Sequence, residues 1–296
     1  MKNKLKFISA MLIFGSIGIF VKNINLPSIE IAFLRAVIGS LFLLCTGLIM
    51  KQKISLKLIK ENILILILSG VAIGFNWILL FQAYKYTTIS NSTLSYYFAP
   101  IFVIILAPII LKEKLTVTKI LCVIMAMSGL FLIVSLGSND VPGSYNHIVG
   151  IMYGLSAAVL YASIILMNKF IKNLSGFETT LIQLAVAAIV LLPSIIYRGN
   201  LNLSKISSTA WIFIFIVGIL HTGISYLMYF SSIKELKGQS IAILSYIDPV
   251  SAVIMASIFL GETITLVKII GGVIILGSAF LSEMLEKKIM EAPIEL

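Results

Sequence analysis

Charge is scarce in this sequence, and acid is scarcest: only 12 of 296 residues are Asp or Glu, and charged side chains make up 11%. A water-soluble domain of this length needs roughly a quarter of its residues charged to cover its surface. A surface that faces water throughout is therefore excluded. Cysteine and histidine occur twice each. Cys45 and Cys122 both fall inside apolar runs, which argues against a disulfide framework. His147 and His221 stand far apart in sequence without ligand-spaced partners, so no metal site is expected. A glycine-rich phosphate loop is also missing, and no serine or cysteine has a base close by. The chain reads as a non-enzyme without a cofactor.

What is abundant is apolar surface: hydrophobic residues reach 59%, and the mean hydropathy is +1.10. A membrane-spanning helix needs about 20 mostly apolar residues. Ten segments meet that expectation: 6–22, 28–50, 61–84, 89–111, 117–135, 148–170, 176–197, 208–232, 240–260 and 266–284. None alternates in polarity as a lipid-facing barrel strand does, so the expected fold class is an all-α integral membrane protein. The linkers are short, the longest (136–147) being rich in turn formers, and the charged tail after Glu283 is expected to fray. The basic start followed by an apolar run imitates a signal peptide but has no clear small-residue cleavage site, so 6–22 is taken as the first span.

The net charge of +10 invites a nucleic-acid reading, but Lys and Arg sit in short gaps between apolar runs and form no stripe. With the N-terminus inside, sixteen of them fall on the cytoplasmic side and five outside, with Arg35 left within a helix. That bias puts both ends in the cytoplasm and requires an even number of spans. The expected location is the cell membrane, and the expected partners are the lipid bilayer and a small-molecule substrate, with the protein a monomer or homodimer.

Offset by 149 residues, the chain matches itself. Tyr97 meets Tyr246, Pro100 meets Pro249, Glu113 meets Glu262, Thr116 meets Thr265 and Lys119 meets Lys268, and ten of the 27 positions 94–120 are identical. Two repeats, 6–135 and 148–284, each hold five helices. An odd number makes the second repeat enter the membrane from the opposite side, the inverted construction of many secondary transporters.

The runs Leu94–Pro100, Leu111–Thr116, Ile247–Val250 with Leu260–Thr265, and Phe75–Thr88 resemble the paired EamA domains of the drug/metabolite transporter superfamily. The likeness spans about 6–285. It implies ten helices, a cavity lined mainly by helices one, three, four, six, eight and nine, and transport of small metabolites, often outward. It does not imply one substrate; the reading adopted is a secondary transporter of small polar metabolites, amino-acid-like, amine or nucleobase-type, moved by proton coupling or exchange.

Asp248 is the sharpest single residue, because an intramembrane carboxylate is costly unless partnered or in a wet cavity. The resemblance also places an acid before this proline. It reads as a proton-coupling group or a counter-ion, against a merely structural carboxylate. His221, with Ser225 and Tyr229 at four-residue spacing, reads as a relay partner at similar depth, against an ordinary interhelical hydrogen-bonder. Asn76, Trp77, Tyr96, Tyr97, Tyr153 and Tyr246, with Tyr161 and Tyr226, form a polar-aromatic set fit to line a cavity or cage a cation. Tyr84, Tyr86, Tyr145 and Tyr197 read as interfacial anchors. Pro100 and Pro249 are expected as paired mid-helix kinks, either acting as hinges or fixed and merely shaping the bundle. Arg35, with Gln183 opposite it in the repeat, reads as a structural partner that can snorkel outward, against a direct contact with substrate. Glu113 and Glu262 read as structural turn residues ahead of capping threonines.

Two rival classes are weaker. A membrane enzyme acting on lipid or isoprenoid substrates needs clustered acids, His or Arg at one face, and these loops are too short and acid-poor. A channel needs a ring of identical polar residues, which a two-repeat chain does not supply.

Overall fold

The computed structural model describes residues 2–110, 117–136, 146–198, 206–233 and 247–291, and every regular element among them is helical. In order these are α1 (Lys2–Lys22), α2 (Ser28–Ile49), α3 (Leu56–Glu61), α4 (Ile63–Tyr86), α5 (Ile89–Tyr96), α6 (Ala99–Ile110), α7 (Val117–Leu136), α8 (His147–Asn168), α9 (Gly176–Arg198), α10 (Ser208–Phe215), a π-helical segment (Ile216–Ile224), α11 (Ser225–Ile233), α12 (Ile247–Leu260) and α13 (Leu266–Glu291). Six helical stretches are long and apolar enough to cross a membrane: Asn3–Lys22, Ser28–Ile49, Ile63–Tyr86, His147–Asn168, Gly176–Tyr197 and Ser208–Tyr229. Shorter apolar helices accompany them at Ile120–Gly129, Ile247–Leu260 and Leu266–Ser278. Large apolar side chains such as Leu48, Ile49, Phe131 and Ile196 point outward, as a lipid-facing surface requires.

Helix starts are written in the sequence. Ser55, Thr88, Asn146 and Ser207 each accept a backbone N–H three residues on, with Ser207 receiving Ala210 N at 3.2 Å. Ser175 and Glu178 form a capping box: Glu178 N donates to Ser175 Oγ (3.1 Å), and Ser175 N donates back to the Glu178 carboxylate (2.9 Å). Glu178 also accepts from Ser55 N at 2.8 Å, tying α9 to the start of α3.

Several expectations are corrected. Segment 89–111 is not one helix but breaks at Tyr97–Phe98. Pro100, which has no N–H to donate, therefore lies in the first turn of α6 and not in a mid-helix kink. Pro249 is buried on α12, and its place within the expected segment 240–260 is not tested, because the residues before Ile247 lie outside the described residues. Segment 208–232 contains nine residues of π-helix, whose wider turn no apolar pattern announces. The charged tail does not fray at Glu283, because α13 continues to Glu291. The gap before α4 holds a short helix, α3, that the linker reading missed. Residues 240–246 of the ninth expected segment lie outside the described residues, as do Glu113 and Tyr145.

The halves interlock. α4 packs on α8 and α9, α2 on α9 and the π-helical segment, α1 on α11 and α12, α8 on α5 and α6, and α7 on α13. The main core lies where α1, α2, α4, α8 and α9 converge, around Leu43, Phe81, Ala157, Leu184 and Val217.

Candidate functional site

A cavity of about 80 Å³ lies within the bundle. Space of that order holds several water molecules, each needing at least roughly 10–15 Å³. Phe14 and Ile17 of α1, Asn76, Trp77 and Tyr84 of α4, Thr93, Tyr96 and the adjoining Tyr97 at the end of α5, Tyr161 of α8, Tyr226 and Tyr229 of α11, and Asp248 of α12 line it. These are the six helices that the family resemblance implied. Arg35 of α2 joins them, an addition that the resemblance did not supply.

The break after α5 positions the acid's partner. Tyr97 N donates to Thr93 O (2.9 Å), the last helical bond of α5, and the Tyr97 hydroxyl donates to the Asp248 carboxylate. This bond joins the first repeat to the second inside the cavity. Asn76 donates to Ala157 O of α8 at 2.6 Å and accepts from the Tyr96 hydroxyl at 3.4 Å. Trp77 Nε1 donates to Tyr226 Oη at 3.2 Å, with the rings edge to face. Tyr96 stacks on Tyr161, whose hydroxyl lies 3.2 Å from that of Tyr229. These tyrosine hydroxyls thus find partners, as aromatic rings with polar tips need.

Arg35 of α2 also lines the cavity. Gly39, one turn along α2, approaches Thr222 so closely that a Cβ there would sit 2.6 Å from Thr222 Cγ2. That approach brings Arg35 Nε within 2.8 Å of Thr222 Oγ1, while the π-helical turn lets Thr222 donate to Val217 O five residues back (2.8 Å). The guanidinium carbon lies 4.0 Å from the Trp77 ring centre and 5.5 Å from that of Phe81. At 2% exposure Arg35 does not snorkel to an interface.

Of the residues singled out from sequence, Asp248, Asn76, Trp77, Tyr96 and Tyr97 share this cavity, together with Tyr161, Tyr226 and Tyr229. His221 does not. Its Nε2 lies 2.8 Å from Ser16 Oγ, its ring packs edge-on against Phe20, and it is not brought to Asp248. Ser225 turns back onto its own backbone, donating to Leu220 O at 2.8 Å. Tyr153 packs against Tyr86 away from the cavity. Tyr246 lies outside the described residues, and so does the side chain of Pro100. Tyr84 corrects an expectation: it is buried and lines the cavity, whereas Tyr197 is 93% exposed, as an interfacial anchor would be. Position near a helix end misled the reading of Tyr84; its place on the Asn76 side of α4, eight residues on, was the available signal.

Away from the cavity, Glu262 accepts Lys22 Nζ (3.3 Å), Ile89 N (2.6 Å), Ser90 N (3.2 Å) and Ser90 Oγ (2.8 Å). It therefore caps α5 and ties the second half to the first. The structural reading of this acid is matched by these contacts, and Thr265 caps α13 by accepting Lys268 N at 3.2 Å.

A helical, lipid-facing bundle that encloses a polar, aromatic cavity with one acid and one cation is the design of a multi-pass membrane transporter. The EamA-like transporter family matches the chain twice, over residues 3–135 and 148–284, and the chain belongs to that family. An uncharacterized transporter YxxF of Bacillus subtilis (strain 168) is 34% identical over 272 residues, covering 92% of this chain and 86% of that protein. An uncharacterized transporter of Archaeoglobus fulgidus is 26% identical over 280 residues, covering 93% of each. A crystal structure of another protein superposes with a TM-score of 0.69 over 97% of this chain and 98% of that one, at 13% identity, and so shares the fold.

Proposed function

We propose that the chain is a secondary active transporter of small polar metabolites, built as two inverted five-helix repeats with ten spans and both termini in the cytoplasm of a cell-membrane protein. The packing pattern supports the inverted pairing. Exchanging the repeats turns the α4–α9 contact into that of the π-helical segment with α2, and turns α1–α12 into α8–α5/α6. Maleimide labelling of cysteines introduced at positions 140 and 288 tests the topology, and labelling of both from one face would sink it.

The observation that carries the mechanism is the Tyr97–Asp248 bond between repeats within the cavity. A carboxylate in a low-dielectric cavity needs either that donor, a proton or a cation. Substrate or proton arrival at Asp248 competes with the Tyr97 hydroxyl, so occupancy and the contact between halves are linked. Pro100 and Pro249, close in sequence to Tyr97 and Asp248, serve as hinge points in the two repeats. Asp248→Asn keeps the size and removes the charge. In proteoliposomes it should abolish uphill, proton-driven transport while solute exchange persists; unchanged uphill transport would reduce Asp248 to a structural role.

A further inference from the structure

The two ends of the bundle treat their lysines differently. At the end where α1 and α4 finish, Lys22 pairs with Glu262, Lys85 Nζ donates to Leu26 O (2.5 Å) and Lys268 Nζ donates to Thr263 O (3.2 Å). At the opposite end Lys51 and Lys53 precede α3, Lys57 and Lys60 lie on it, and Lys169 and Lys172 join α8 to α9; all six are exposed. None of these six side chains has an acceptor or an ion pair among the described residues. Glu61 is the one exposed acid in 50–64 and 169–178; Glu178 is buried and accepts from Ser55 N and Ser175 N. A surplus of lysine at one end follows the common bias of membrane proteins. That bias sets orientation, and it does not gather bare cations at one corner.

The corner is fastened from within. Asn62 donates to Lys172 O (3.1 Å) and accepts from Lys172 N (3.0 Å), while Ile59 of α3 is buried with Leu66 of α4 and Leu174 of the α8–α9 link. Lys60, two residues before Asn62, is thus brought to Lys172 from far away in sequence. Leu56 and Lys60 are four residues apart and Lys57 and Lys60 three, so they share the outer side of α3. Lys51 holds a left-handed φ of 50° after α2, where glycine is the easier residue. The surroundings decide which anion fits. Leu48, Ile49, Met50, Leu56 and Leu64 are 61–81% exposed beside the lysines, a surface that meets acyl chains in a membrane protein. A free phosphate would make no use of that wall, whereas a lipid uses both wall and rim. We infer that this corner binds an anionic phospholipid, its phosphate among Lys57, Lys60 and Lys172 and its acyl chains against Leu56 and Leu64. The site is separate from the cavity, and the transport reading neither requires it nor falls with it.

Native mass spectrometry of the full chain, delipidated in a neutral detergent, tests this with phosphatidylglycerol against phosphatidylcholine of the same acyl chains. Phosphatidylglycerol should bind at least tenfold tighter, and the preference should shrink as salt is raised. Lys57→Gln, Lys60→Gln and Lys172→Gln together should cut that preference fivefold or more. Lys2→Gln, Lys4→Gln and Lys6→Gln remove the same charge from the same end, on α1, and should leave it within twofold. Equal binding of the two lipids, a preference that survives the first variant, or equal losses in both variants would overturn the inference. Displacement of the lipid by inorganic phosphate would overturn it too, marking a site for soluble anions. Should the first variant fold poorly, phosphatidylglycerol with a photoreactive headgroup decides on the unaltered protein: it should label 51–64 or 169–178, and labelling confined to other segments would overturn the site. Uptake in phosphatidylcholine proteoliposomes reads transport apart from lipid binding, so either reading can fail alone.

Discussion

The third helix of each half solves the same packing problem in different ways. α4 is regular, and its Gly70 and Gly74, four residues apart, lie against Val186 and Leu191 of α9. The corresponding helix of the second half carries Gly218 and Gly223, five residues apart, against Ile38 and Phe42 of α2. A π-helical turn puts residues at i and i+5 in register, so the wider spacing and the altered winding belong together. The winding has a visible yield. Thr222 and Ser225 donate to carbonyls five residues back, and Thr222 is left facing Arg35. Where the halves agree they build scaffold, and where they differ a charge enters the cavity.

The comparison breaks most visibly at the glycines. A Cβ at Gly223 would overlap the Phe42 ring, whereas one at Gly74 would meet Leu191 at an ordinary 3.4 Å. Gly223→Leu should therefore cost about 3 kcal/mol or more through overpacking, and Gly74→Ala far less. Melting of the two variants in detergent measures this, and equal losses would remove the asymmetry. A smaller effect is expected at the polar mates. Thr222→Val strips Arg35 of its acceptor and should cost about 1–3 kcal/mol while also weakening solute binding. Gln183→Leu should lower stability by a similar amount or less and leave binding unchanged. Loss of binding in both variants would mean that the two sites act alike. The smallest expected change in stability is at Glu262. Glu262→Gln retains an acceptor but loses the ionic component, about 1 kcal/mol, and should raise cysteine accessibility at position 90.

Much of this was legible in the sequence because bilayer thickness dictates helix length: six of the ten apolar runs coincide with helices long and apolar enough to cross a membrane, and shorter helices lie within the others. Asp248, Asn76 and Tyr97 declared themselves by polarity within apolar surroundings. The π-helical segment did not, because Ile216–Ile224 is apolar in either winding and the choice is made by contact with α2. Tyr84 was misjudged for a related reason, since an aromatic near a helix end serves equally well in a headgroup layer or under a neighbouring helix. His221 looked like a partner for Asp248 by depth alone, but depth does not fix azimuth, and its ring is turned to Ser16 and Phe20 of α1. Arg35 was visible from the start. Its hydrogen bond to Thr222 was not, because that depends on the close approach of α2 to the π-helical segment.

The Glu262 seam has a consequence for kinetics. Four donors from the first half converge on one rigid carboxylate. Small tilts cannot release them singly, because Ser90 and Ile89 are adjacent and move together. The first displacement carries nearly the whole barrier and the rest follows downhill. Such a seam favours a switch between two discrete states over a continuum of half-open ones, so single-molecule distances measured across this end should show abrupt steps separated by dwells.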